Sequence, residues 1–142
     1  IAAIDGVAGL KDTSEDVPWL ARVMANNPDL SCLAGSNALL YTGLEIGCAG
    51  LVSSVANAFP ELVVELYEAF DAGDEQRAQQ LQERVFDVVA AFDRGPYMAS
   101  VKTALDLRDV AVDPGPLRRP LRRLDEEQTA ALADDLATLD LL

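Results

Sequence analysis

The sequence predicts an α/β fold: a short parallel sheet interleaved with helices, followed by a layer made of helices alone. Three observations carry this. Up to Gly73, short apolar runs alternate with amphipathic stretches, the pattern of βαβ units and a parallel sheet. Beyond Gly73, apolar residues recur only at three- and four-residue spacings, the period of a helix. Half of the 142 residues are apolar and only 6% are aromatic, which suits an alanine- and leucine-rich helical coat around short strands. The chain is therefore read as two parts, residues 1–73 and residues 74–142.

Taken in order, residues 7–10 read as a buried parallel strand. Ser14 and Asp16 then offer caps for a helix that enters at Pro18 and carries Leu20, Val23 and Met24 on one face. Asn27 and Pro28 end it. Residues 30–34 form the next apolar strand, Gly35-Ser36-Asn37 the turn, and Ser36 or Asn37 the cap of a short helix through Glu45. Residues 50–53 make a third strand. Pro60 starts a helix whose Leu62, Val63, Leu66 and Phe70 form an inward stripe up to Gly73. Asp74 caps a long helix with Ala78, Leu81, Val85, Val88 and Phe92 on one side, ended by Gly95-Pro96. Another helix covers Tyr97 to Leu107. Pro114, Pro116 and Pro120 enforce an extended crossing, and Asp125 with Gln128 opens the last helix as a capping box.

The chemistry centres on Lys11, one of only two lysines, placed where the first strand meets a loop. A strand-end lysine is commonly a solvated edge charge. Apolar neighbours disfavour the ammonium, however, so Lys11 is also a candidate nucleophile whose free amine attacks a keto group to form a Schiff base. The other lysine, Lys102, reads as a solvated charge in the middle of an outer helix. Gly35-Ser36-Asn37 follows the second strand: glycine admits close approach of backbone to a ligand, and the two short polar side chains can bond hydroxyls or cap the helix. Val52 and Ser54 can likewise be a sheet-filling valine and a helix-cap serine. Asn57 is expected to pin backbone in the turn before Pro60.

Three motifs in register resemble the Schiff-base aldolases and lyases grouped with dihydrodipicolinate synthase and N-acetylneuraminate lyase. They are Gly9-Leu10-Lys11-Asp12-Thr13 with Asp16 behind it, Gly35-Ser36-Asn37-Ala38-Leu39-Leu40-Tyr41, and Gly50-Leu51-Val52-Ser53-Ser54-Val55-Ala56-Asn57 closed by Pro60. The resemblance runs from the family's sixth barrel strand to its C-terminus. It implies the last three strands of a (β/α)8 barrel plus a C-terminal helical layer, and a chain that is the C-terminal half of a longer polypeptide, since such a barrel takes about 250 residues. The family's proton-shuttling tyrosine and its paired threonines for the substrate carboxylate would lie upstream.

By the same resemblance Lys11 is the imine-forming lysine, with no metal and no other cofactor. Gly35, Ser36 and Asn37 bind substrate, Val52 lines the pyruvate end, and Ser54 meets a hydroxylated tail. The run Gly-Ser-Asn-x-Leu-x-Tyr is similar to archaeal 2-keto-3-deoxygluconate aldolases. The implied activity is class I cleavage of a 2-keto-3-deoxy sugar acid, plain or 6-phosphorylated, to pyruvate and an aldehyde. Two alternatives stay open: 4-hydroxy-tetrahydrodipicolinate synthase or a related keto-acid dehydratase, and a non-catalytic barrel scaffold. The implied partners are a small keto acid and further copies of the chain, in a dimer or tetramer.

Charge and cysteine content narrow the setting. Asp and Glu total 24 against 11 Lys and Arg, a net charge of −13, which repels nucleic acid and anionic membrane. The cluster Arg118, Arg119, Arg122 and Arg123 lacks the aromatic interleaving of a nucleic-acid patch and reads as partners for carboxylates. No apolar run approaches the length of a membrane span. Cys32 and Cys48 lack a CxxC pattern and read as buried free thiols in a reducing, cytoplasmic compartment. With no histidine, a zinc or haem site is not expected. The acidic, lysine-poor composition fits a salt-rich cytoplasm, where ions screen self-repulsion; a GC-rich genome favouring Arg over Lys is the competing explanation. On the first account the thermal midpoint rises with potassium chloride across a salt series, and a flat or falling midpoint would remove it.

Overall fold

Parallel pairing of three short strands organises the first part of the molecule, seen in a computed structural model that describes residues 4–108, 110 and 112–142. β1 (Gly9–Asp12), β2 (Ser31–Ala34) and β3 (Gly50–Leu51) lie side by side in chain order. The register places Lys11 beside Leu33 and Asp12 beside Ala34, then Leu33 beside Gly50 and Ala34 beside Leu51. All three strands therefore end at one edge, and the loops that follow them gather there.

The first strand differs from its expected form. It begins two residues later than residues 7–10 and is not buried on both faces: Gly9 and Lys11 are exposed while Leu10 and Asp12 are half-buried. Leu10 packs on a cluster of Leu20, Cys32, Ala34 and Cys48, joined by Val23, Met24 and Leu51. Strand alternation then turns Lys11 to the opposite, uncovered face. The third strand is also shorter than residues 50–53. Beyond it the chain bends at Ser54 into a short helix, α3 (Val55–Ala58), which the residue pattern does not announce.

The helices follow their expected signals more closely. Asp16 caps α1 (Val17–Asn26) by accepting from the Trp19 N–H at 2.9 Å. Ser14 binds no N–H of the helix itself: its hydroxyl accepts from the N–H of the cap residue Asp16 at 3.2 Å and donates to Asp12 Oδ2 at 3.0 Å. Ser36 caps a 3-10 turn (Asn37–Leu39) that leads into α2 (Leu40–Glu45). α4 (Pro60–Asp71) closes with Gly73 at φ +75°; the N–H of Gly73 reaches Phe70 O and that of Asp74 reaches Ala69 O, both at 2.9 Å. This pair of bonds is a Schellman closure, and any residue but glycine would be strained in its left-handed position.

By its internal contacts the chain forms two units, Ile1–Ser53 with Glu65–Gln82, and Ser54–Val64 with Glu83–Leu142. Helices α4 and α5 (Glu75–Phe92) contribute residues to both. In the second unit, α6 (Tyr97–Leu107) and α7 (Glu126–Thr138) complete a core in which Phe59, Val85, Val88, Phe92, Ala104, Leu132 and Leu136 are fully buried. Phe59 stacks on Phe92 with centroids 6.3 Å apart, and the Arg108 guanidinium lies 5.0 Å from the Phe59 centroid. The expected capping box of α7 is present, Asp125 accepting from the Gln128 N–H at 2.8 Å and Gln128 accepting from the Asp125 N–H at 3.2 Å.

Lys102 is not a solvated charge. Its ammonium donates to the carbonyls of Pro114, Gly115 and Pro116 at 2.6, 3.3 and 3.2 Å, so a proline-rich crossing with few N–H groups of its own is held by a cation from α6. Arg118, Arg119, Arg122 and Arg123 are exposed and make no ion pair among the described residues. No described helix is long and apolar enough to cross a membrane.

Truncating Leu136, fully buried in the second unit, is expected to lower stability by about 2–5 kcal/mol. Val64→Ala, at a side chain 51% exposed, should stay within about 0.5 kcal/mol. Urea unfolding of both variants measures the difference, and equal midpoints would contradict this assignment of the core.

Candidate active site

The loops at the strand ends converge on Gly35. A Cβ built on this residue would lie 2.3 Å from Thr13 Oγ1, 2.6 Å from Lys11 Cε and 2.7 Å from Asp12 O. The end of the Lys11 side chain thus runs directly over the bare Cα of Gly35, a path that any other residue at position 35 would block. Among the described residues the Lys11 ammonium has no ion-pair or hydrogen-bond partner. It stands exposed on the uncovered face of the sheet.

β2 and β3 complete this face. Leu33 neighbours Lys11 in the register. The Val52 N–H donates to Ala34 O at 2.9 Å, which extends the pairing past β3 and leaves the Val52 side chain 45% exposed. Leu51 enters the helix-facing cluster, so alternation puts Val52 on the face of Lys11 and Leu33. Ser53 Oγ donates to Asn37 Oδ1 at 2.7 Å and ties the third loop to the second. Asn37 is anchored again through its carbonyl, which accepts from Gln82 Nε2 at 2.9 Å, while Gln82 Oε1 accepts from the Tyr41 N–H at 2.9 Å. Gln82 is nearly buried, and this pairing of both ends of its amide meets the requirement that buried polar groups be bonded.

Of the residues singled out from the sequence, Lys11, Gly35, Ser36, Asn37 and Val52 lie within the first unit at these strand ends. Ser54 belongs to the second unit, where its hydroxyl shares a hydrogen bond with Tyr97 Oη at 2.9 Å. Asn57 donates to Ser54 O at 3.2 Å and pins the turn as expected. Three contributors are not apparent from the sequence: Gln82, Ser53 and Glu15. Ser36 Oγ donates to Glu15 Oε1 at 2.6 Å and accepts from the Ala38 N–H at 3.3 Å, so its hydroxyl is engaged on both sides. Nothing local to Glu15 announces a partner 21 residues away.

Opposite this face lie the two thiols, both free and buried. Burial pushes the Cys32 thiol above its usual range, and the nearby Asp12 carboxylate adds to the shift. Burial also raises Cys48, with Cys32 and Asp12 adding and a backbone hydrogen bond at Ala34 opposing. Neutral, enclosed thiols are poor nucleophiles. No group of three His, Cys, Asp or Glu side chains among the described residues is placed to hold a metal ion.

Lys11 thus stands at the C-terminal end of an edge strand of the parallel sheet, with the loop that follows β2 folded against it. The model of the dihydrodipicolinate synthetase family matches residues 1–139, and the chain belongs to that family. A DapA-like lyase of Halobacterium salinarum, itself uncharacterised, is 58% identical over 142 residues, all of this chain and 46% of the relative. Among solved structures, YagE of E. coli in complex with pyruvate superposes with a TM-score of 0.86 at 27% identity, covering 96% of this chain and 47% of that one. The KD(P)GA of T. tenax gives 0.85 at 28% identity, covering 94% and 46%. These neighbours are (β/α)8 barrels, and the chain matches their C-terminal half. It spans about half the length of the curated relatives it matches.

Gly35→Ala is expected to lower imine formation several-fold, since a Cβ 2.7 Å from the Asp12 backbone carbonyl and 2.6 Å from Lys11 Cε forces the end of β1 and the lysine side chain to shift. Borohydride trapping with pyruvate measures this, alongside circular dichroism to show that the helices persist. Trapping at the wild-type level would contradict the geometry.

Proposed function

We propose that the intact protein is a class I aldolase that cleaves a 2-keto-3-deoxy sugar acid to pyruvate and an aldehyde. The observation that carries this reading is the unpartnered Lys11 amine laid over Gly35 at the strand ends. Family membership supports it, as do the pyruvate complex of YagE and the name of the T. tenax neighbour, which accords with the Gly35-Ser36-Asn37 run.

In this reading the Lys11 amine adds to the C2 carbonyl and water leaves, forming an iminium. The iminium accepts the electron pair of the C3–C4 bond as the C4 hydroxyl loses its proton and becomes an aldehyde. The resulting enamine takes a proton at C3 and is hydrolysed to pyruvate, freeing Lys11. The electron sink is the iminium itself, so the chain's reaction calls for no metal. Val52 is proposed to line the pyruvate end and Asn37 the hydroxylated tail. The tail role of Ser54 rests on the resemblance alone.

The family's own name favours a second reading, condensation of pyruvate with aspartate semialdehyde, which uses the same lysine and differs only in the second substrate. Borohydride reduction with pyruvate, followed by peptide mapping, is expected to place the adduct on Lys11; an adduct on Lys102, or none, would overturn the lysine chemistry. In a direct comparison the sugar acid should be turned over with higher kcat/KM than the semialdehyde is condensed, and the reverse order would select the synthase.

A further inference from the structure

Three acidic side chains follow Lys11, Asp12 at the end of β1 and Glu15 and Asp16 in the loop that leaves it, and two of them are engaged locally. Asp12 accepts from both the N–H and the hydroxyl of Ser14, at 3.1 and 3.0 Å. Asp16 caps α1 through the Trp19 N–H. Glu15 alone reaches across to the next loop, where Ser36 donates to its Oε1 at 2.6 Å. Its backbone stands in the left-handed region at φ +62°, which a residue with a Cβ rarely enters.

Two contacts on consecutive residues locate this carboxylate. Lys11 Cε lies against Gly35, and Glu15 Oε1 lies against Ser36, so amine and carboxylate flank the same dipeptide. They do not form an ion pair with each other. Ser36 gives its only hydroxyl proton to Glu15 and a lone pair to the Ala38 N–H, so it has no donor left for a ligand. Glu15 is an exposed residue, and its second oxygen, Oε2, is bonded to nothing among the described residues.

We infer that Glu15 is a specificity residue for the distal tail of the substrate, and that Ser36 positions it. An ionised carboxylate is an acceptor only: it takes hydrogen bonds from the hydroxyls of a neutral polyol tail and repels a phosphorylated one. The protein therefore prefers the plain sugar acid to its 6-phosphate. This rests on the lysine-imine reading above, and it adds the charge class of the tail.

The test compares 2-keto-3-deoxygluconate and its 6-phosphate as substrates of the intact protein, wild type and Glu15→Gln, with pyruvate trapping on Lys11 measured in each. Glutamine keeps the shape and can still accept from Ser36 while removing the charge. Wild type is expected to favour the plain acid in kcat/KM. The variant should move the ratio toward the phosphate by about tenfold, through both a gain on the phosphate and a loss on the plain acid, with trapping unchanged. A ratio moved less than threefold while pyruvate still traps on Lys11 overturns the role of Glu15 and leaves the imine reading standing; so does a wild-type preference for the phosphate. Absence of trapping in the wild type overturns both. Ser36→Ala guards against a folding defect at position 15: it keeps the charge but frees the carboxylate, so KM for the plain acid should rise several-fold while discrimination against the phosphate persists. An equal loss on both substrates in both variants would mean a structural role only and would overturn the inference.

Discussion

The absent side chain at Gly35 and the path it leaves for Lys11 are one constraint, and the open face of the sheet is arranged around it. Thr13, Lys11 and Asp12 all approach the Gly35 Cα more closely than a Cβ would allow. The loop after β1 can therefore fold down onto the loop after β2, and from that contact follow the reach of Glu15 to Ser36 and the exposed position of the Lys11 amine. Parallel pairing alone would bring the strand ends level. It is the glycine that lets the first two loops touch.

Strand alternation then separates two kinds of chemistry across a single layer of backbone. On the helix-facing side Leu10, Cys32, Ala34 and Leu51 make an apolar cluster in which the thiols are held neutral. On the other side Lys11, Leu33 and Val52 face outward. A one-residue slip of β1 would exchange Lys11 and Leu10, placing an ammonium among buried thiols and aliphatic side chains, an arrangement several kcal/mol less favourable by the general cost of burying an unpaired charge. The packing of Leu10 against that cluster therefore also fixes which way the Lys11 side chain points.

Much of this is legible in the residues, for identifiable reasons. The helices declare themselves through period and caps: Asp16, Asp125 with Gln128, Pro60 and Gly73 all act locally, within a turn of their own position. Lys11, Gly35 and Val52 are legible through their places in three spaced motifs. The misses are of another kind. β1 is expected two residues early because Val7-Ala8 is as apolar as a strand interior, whereas pairing extends instead through Lys11 and Asp12, whose polarity only one face of the sheet can accept. Lys102 reads as solvated because its partners are backbone carbonyls, which no side-chain pattern reveals. Gln82 and Glu15 act through contacts 45 and 21 residues away in sequence, and long-range pairing leaves no local trace.

Gln82 and Glu15 bear on the site itself. Residues expected to touch substrate directly are in several cases held by others: Asn37 by Ser53 and Gln82, Ser36 by Glu15 and the Ala38 N–H. A short polar side chain on a loop has rotamer freedom that a ligand must otherwise freeze, and each such bond removes some of it before the ligand arrives. The Gly-Ser-Asn turn is thus better understood as a fixed frame than as three independent ligand contacts, and much of what distinguishes one substrate tail from another passes to the groups that frame orients. In this chain the first of those is the carboxylate of Glu15.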